Sequence, residues 1–360
     1  MIYVKAEDLK VGMRLARPIY NKKGILLYGR NDKITAQGIE SVKNFGLIGL
    51  YILEPAEPLP PMSEEEIEFE RFQTMAVFII REELDHIMAG KAPENLMGLT
   101  DDLVRRFGNL FHKIRFNQNL RSPEDYVYKH ALNVAILTAL ISHRVGFGVV
   151  EQAEVIVAAL LHDVGKLGLP EQLRSKGTNV EPEDRDAIAR AVLLGVDKIS
   201  KSFKMPAGVK GSLMQMCQLQ YMPEKLTSNV SDAVKVLLVA NAYDEYTAMR
   251  LGEDPASEVE AIRELQSHPE LYDAEMVQHL LESVQILFPG VCVELTNHEK
   301  GLVIRENDQN VLRPVVLGFN TNQIYNLNLG SVHKEIQIKD IMKTMDNRIK
   351  VDPDILKEYL

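Results

Sequence analysis

Two cysteines, no tryptophan and no apolar run approaching the ~18 residues of a membrane span are what this 360-residue chain has to offer at three positions where function is often written. Cys217 and Cys292 supply neither a disulfide framework nor a CxxC metal pair, which fits a reducing compartment and leads to the expectation of a cytoplasmic protein. The opening MIYVKAEDLKVGM lacks the charged and apolar regions of a signal peptide, so no attachment to a membrane is expected. An excess of basic residues is missing too. A formal net charge of -10, with no tryptophan, argues against broad nucleic-acid binding, because contacts to a phosphate backbone require a basic face. A small anionic ligand would need a local cationic pocket. Histidine is absent from a long central stretch: after His162 none occurs until His268.

What is present is a chain with 46% hydrophobic residues, enough to bury sizeable cores in two or three domains. Residues 1–54 carry short β-prone runs (Arg17 to Tyr20, Ile25 to Tyr28, Leu47 to Leu53) punctuated by glycines, with one helix expected at about Ala36 to Asn44. Four prolines between Pro55 and Pro61 exclude regular structure and place a linker at 55–63, after which an acidic run opens a helix. Residues 64–290 have helical periodicity, as in Phe69, Phe72, Ala76 and Ile79, or His130, Val134, Leu137 and Ile141, which predicts seven to nine helices. Residues 291–360 return to alternating strands in VCVEL, GLVIRE and RPVVLGF and end in a short helix and tail from Lys339. The expected fold is mainly α, an all-helical core between a small β-rich N-terminal module and a short β segment.

The helical middle carries the chemistry. ALLHDVGK places His162 and Asp163 together at the end of an apolar helix, and an imidazole and a carboxylate can share a divalent cation. His130, one turn before Val134 on an apolar face, points to the core, where an imidazole needs a partner. Gly165 is expected to turn the chain in a left-handed conformation, leaving Lys166 to project over the pocket and meet a phosphate oxygen. Lys166 at a helix C-terminus has a plainer role as a cap. The remaining histidines (His86, His112, His143, His268, His279, His298 and His333) lie in charged or turn-like sequence and are not ligand candidates. Met214, Met216 and Met222 read as gap-filling core.

His130, the His162-Asp163 pair, the following GKLGLP and the later NAYDEYTAMR resemble the HD superfamily, and specifically its HD-GYP branch of bacterial cyclic dinucleotide phosphodiesterases. LKVGMRLARPIYNKKGILLYGRNDKITAQGIESVKNFGLIGLYI is similar to the module that often precedes such domains, and FPGVCVELTNHEKGLVIRENDQNVLRPVVLGF to the β segment that ends many of them. The resemblance implies an all-helical HD core and metal ligands at His130, His162 and Asp163. It implies phosphate-binding cations at Lys166 and Arg250, to which Arg174 and Lys176 are added as nearby candidates.

The chain departs from the pattern elsewhere. A family histidine falls near Ala191. The paired histidines before the GYP signature fall in GSLMQMCQLQYMPEKL, where Tyr221 and Pro223 are an echo of the motif. A family aspartate is replaced by Asn241. A two-metal mechanism requires both cations to be held. The retained residues imply one divalent ion, iron or manganese, or none. Cys217 could add a thiolate, although core packing is its plainer role, and Asp244 or Glu245 could substitute for the lost carboxylate.

The expectation is a degenerate HD-GYP-like signalling protein that binds a cyclic dinucleotide such as cyclic di-GMP, another phosphorylated small molecule, or a signalling protein partner, without two-metal phosphodiesterase activity. The rival is an active metal-dependent phosphohydrolase with a reduced site, in which Asp163 and Lys166 are catalytic. A non-catalytic HDOD-type domain also has such a helical core, but the flanking β modules disfavour it.

Overall fold

Glycine-separated runs of β-branched and aromatic residues form short strands at the N-terminus, and longer apolar-periodic segments form the helices that follow. The computed structural model describes residues 2–44, 47, 49–53, 63–176, 180–222, 229–250 and 256–342, and the chain divides into two compact units, Met1–Glu82 and Glu83–Leu360.

In the first unit, β1 (Ile2–Lys5), β2 (Ile19–Tyr20), β3 (Leu26–Tyr28), α1 (Ala36–Asn44) and β4 (Gly49–Ile52) follow in order. β1 pairs with β4 and β2 with β3, both antiparallel, over a core of Leu9, Leu15, Ile34, Val42 and Ile52. The long helix α2 (Glu64–Met88) starts here because Ser63 and Glu66 cap each other's backbone N–H groups. Its first half is tied to the module by Arg17 and Glu70, 3.3 Å apart. Of the expected 55–63 linker, all but Ser63 lies outside the described residues.

The second unit continues through α3 (Leu96–Phe107), α4 (Tyr126–Val145), α5 (Val149–Leu161), a 3-10 turn (Val164–Gly168), α6 (Glu171–Arg174), α7 (Pro182–Ser202), α8 (Ala207–Tyr221), α9 (Asp232–Thr247), α10 (Glu258–Ser267) and α11 (Ala274–Leu281). Ten α-helices are thus described between residues 63 and 288, more than the seven to nine expected. The four-residue α6 is too short to leave a periodic signal.

α4 packs against α3, α5, α9 and α11, and nearly all of it is buried rather than one face alone. It stops at Gly146, whose φ of 88° is left-handed and whose N–H returns to the His143 carbonyl. α5 begins where Gly148 N–H donates to the Glu151 carboxylate and ends directly at His162.

The C-terminal part is a five-stranded antiparallel sheet of β5 (Cys292–Leu295), β6 (Lys300–Arg305), β7 (Val315–Gly318), β8 (Ile324–Asn326) and β9 (Ile338–Ile341), in the order β8-β7-β6-β5-β9. A one-turn helix, α12 (Gly330–Glu335), links the last two strands. The segment from Lys339, expected to be helical, instead enters the sheet as β9, because Val293 and Glu294 on β5 offer it an open edge. Residues 343–360 lie outside the described residues. Among the described residues, no helix is long and apolar enough to cross a membrane.

Candidate metal centre

Three elements meet at one buried point. α4 brings His130, the end of α5 brings His162 and Asp163, and α9 brings Asn241, with all four side chains almost fully buried. His130, His162 and Asp163 form the group whose ligand atoms lie within 4.8 Å of one another and can bind a metal.

The tautomers of both imidazoles are set by their outer partners. His130 Nδ1 lies 2.6 Å from Asp244 Oδ2, an ionised carboxylate, and donates to it. His162 Nδ1 lies 2.7 Å from the Ala159 carbonyl, which can only accept. Each ring therefore turns its Nε2 inward, the nitrogen left to bind a metal when the imidazole is neutral. The two Nε2 atoms are 3.2 Å apart, and Asn241 Oδ1 lies 3.0 Å from the first and 3.1 Å from the second. Asp163 Oδ2 completes the set at 3.6 and 3.7 Å. Two imidazole nitrogens, an amide oxygen and a carboxylate oxygen converge on one point, a donor set that fits one divalent cation of the imidazole-binding kind.

Burial pushes the His162 imidazole down, so it stays neutral. Burial would raise the Asp163 carboxyl, but the Lys166 ammonium 2.6 Å away works against it, and the group is held at about 2. Asp244 is likewise driven up by burial and down more strongly by Arg121 and His130, so that it remains charged.

Asp244 was one candidate to replace the carboxylate lost at Asn241, and the structure assigns it differently. It faces the outer edge of His130 and is held by Arg121 (2.6 Å to each oxygen), Gln118 (3.0 Å) and Asn133 (3.0 Å). Thr247 joins this network through Gln118 at 2.8 Å. Gln118, Arg121 and Asn133 went unrecognised in the sequence. Asn133 lies one turn beyond His130 on α4, a spacing that could have flagged it. Gln118 and Arg121 sit in an aperiodic segment whose only hint is a cation beside a buried helix.

Two expectations for the GK turn need correction. Gly165 is not left-handed but part of the 3-10 turn, and what it supplies is room: a Cβ there would lie 2.0 Å from the Ala191 carbonyl oxygen and 2.9 Å from Val192 Cα. Across the same contact, a Cβ on Gly195 would lie 2.7 Å from the Gly165 backbone. Ala191 thus sits against the HD turn and brings no donor. Lys166 does not project free over the pocket. It is fully buried, its Nζ 2.6 Å from Asp163 Oδ2 and 3.5 Å from the Lys176 carbonyl.

The other candidate cations do not gather around a phosphate-sized space among the described residues. Arg174 donates to the Leu169 carbonyl and Lys176 pairs with Asp184. Arg250 lies against Tyr126, its guanidinium 5.4 Å from the ring centroid, and Tyr126 in turn stacks on His130. Cys217 belongs to a core cluster with Ile188, Val192 and Tyr221, and burial pushes its thiol up to about 11, which removes it as a ready thiolate. Pro223 of the GYP echo lies outside the described residues. A hollow of about 40 Å³ ends on Asn241 between Leu219, Gln220, Leu238, Leu271 and Tyr272, large enough for water but not for a nucleotide.

Comparison with known proteins bears on this arrangement. Residues 127–214 match the HD domain family. The chain is 25% identical over 161 residues to a cyclic di-GMP phosphodiesterase of Thermotoga maritima, covering 43% of this chain and 44% of that protein. It is 21% identical over 204 residues to a cyclic di-GMP phosphodiesterase of Pseudomonas aeruginosa, covering 56% and 49%. The chain therefore spans a little under half the length of these relatives. Among solved structures, an HDG"Y"P protein from Bdellovibrio bacteriovorus aligns over 78% of this chain and 97% of its own, at 18% identity and a TM-score of 0.45.

Proposed function

We propose that this chain, which is HD-GYP-like and carries an HD domain, is a signalling module that holds at most one divalent ion and acts by binding rather than by two-metal phosphodiester cleavage. The observation that carries this reading is the donor count: two imidazole nitrogens, one amide oxygen and one carboxylate oxygen, the last already engaged by Lys166. A divalent ion held by His130, His162, Asp163 and Asn241 would supply a Lewis acid. A second ion would need further carboxylates or imidazoles, and Ala191 and Asn241 stand where the resemblance calls for them.

The relatives' activity directs attention to cyclic di-GMP as the ligand, with a protein partner as the other binding mode. The inward turn of Lys166 weighs against a direct phosphate contact there. The rival reading, a single-metal phosphohydrolase, draws on the inward-facing Nε2 atoms of His130 and His162.

Elemental analysis of the purified protein should return no more than one divalent ion per chain, and incubation with cyclic di-GMP plus manganese or iron should leave the nucleotide intact. Turnover abolished by His162→Ala and by Asp163→Ala would overturn the binding reading in favour of the hydrolase. Calorimetry with cyclic di-GMP separates the two binding modes: heat supports the nucleotide, and its absence leaves the protein partner.

A further inference from the structure

Lys166 and Asp163 form a buried pair inside the site rather than beside it. The oxygen that Lys166 holds at 2.6 Å, Asp163 Oδ2, is the same atom that faces both imidazole nitrogens at 3.6 and 3.7 Å. A metal bound to that oxygen and to the two Nε2 atoms at about 2.0 to 2.2 Å would lie within about 5 Å of the ammonium. The two cations would then draw on one carboxylate in a low-dielectric interior, where like charges are poorly screened.

The ammonium is not loosely placed. Lys166 is fully buried, and the carboxylate it pairs with is Asp163, at 2.6 Å. Its second contact is the Lys176 carbonyl, at 3.5 Å.

Asn241 suits the same metal-free condition. With its oxygen inward it offers a neutral ligand, and with the amide turned over its NH2 would donate to both Nε2 atoms. An aspartate there would have no such option.

We infer that Lys166 is an internal counter-cation that competes with a divalent metal for Asp163, so that the pocket is neutralised by its own chain and its metal affinity is set by this lysine. This deepens the one-ion reading above, on which it rests for the identity of the pocket.

The test is a titration of the chelator-stripped full chain with manganese, followed by loss of the free-ion electron paramagnetic resonance signal. Lys166→Met should bind manganese at least tenfold more tightly than the unaltered chain, and the gain should vanish when Asp163→Asn is added. Lys166→Gln, which keeps a hydrogen-bond donor at the buried position, guards against a folding failure and should show the same gain. Equal or weaker binding in the folded lysine variants would overturn the inference while leaving the one-ion reading intact. Binding by Lys166→Met but not by the unaltered chain would support the inference and set the unaltered chain at the metal-free end of the at-most-one-ion reading.

Discussion

Asn241 separates a pocket that requires a cation from one that tolerates its absence. Restoring a carboxylate with Asn241→Asp should create a charged acceptor beside two imidazole nitrogens, stable only when a metal or proton lies between them. The variant's melting temperature should fall on chelation and recover with manganese, whereas the unaltered chain should respond less. Arg121 is the opposite case, a buried cation that holds Asp244 on the outer edge of His130. Arg121→Met leaves that carboxylate without its main counter-charge and should cost about 3 to 5 kcal/mol in equilibrium denaturation. His130, His162 and Asp163 were legible in the sequence because a helix end and a dipeptide place them. The inward turn of Lys166 was not, since its direction depends on which helix covers the turn.

The contact between the 3-10 turn and α7 belongs to backbone rather than side chains. Gly165→Ala would drive a Cβ into the Ala191 carbonyl at 2.0 Å, a clash with main chain that no rotamer relieves. A loss of about 1 to 3 kcal/mol is expected from such overpacking, measurable by chemical denaturation, with the larger value if α7 cannot give way. The same contact explains why glycine at this position was misread. A Gly-Lys step after an apolar helix looks like a C-cap, and only the arrival of α7 some thirty residues later reveals that closeness, not a left-handed turn, demands it. β9 was lost for a similar reason: its pairing with β5 spans more than forty residues and outweighs the local helical signal of Lys339 onward.

Across the larger unit, acid is the condition under which these buried groups act together. Asp163 and Asp244 have folded pKa values depressed below 3.8, so their contribution is present above that value and is lost as pH falls through the folded values, about 2 for Asp163 and lower for Asp244. His162, depressed below 6.5, adds an earlier loss. Between 6.5 and its folded value the unfolded chain binds the extra proton, so stability declines as pH drops, by at most about 1.4 kcal/mol per pH unit for that proton. Denaturation midpoints of the metal-free chain should therefore slope downward from about pH 6.5, and His162→Gln should flatten that first slope. The helix-rich core and the flanking strands were readable from periodicity and turn residues, while the Arg121 network joins positions more than a hundred residues apart and leaves no local pattern. The Gly165–Gly195 contact also has a mechanical meaning. With no Cβ on either residue the two backbones meet directly, so α7 and the turn that follows Asp163 cannot move toward each other without a clash of main chain on main chain.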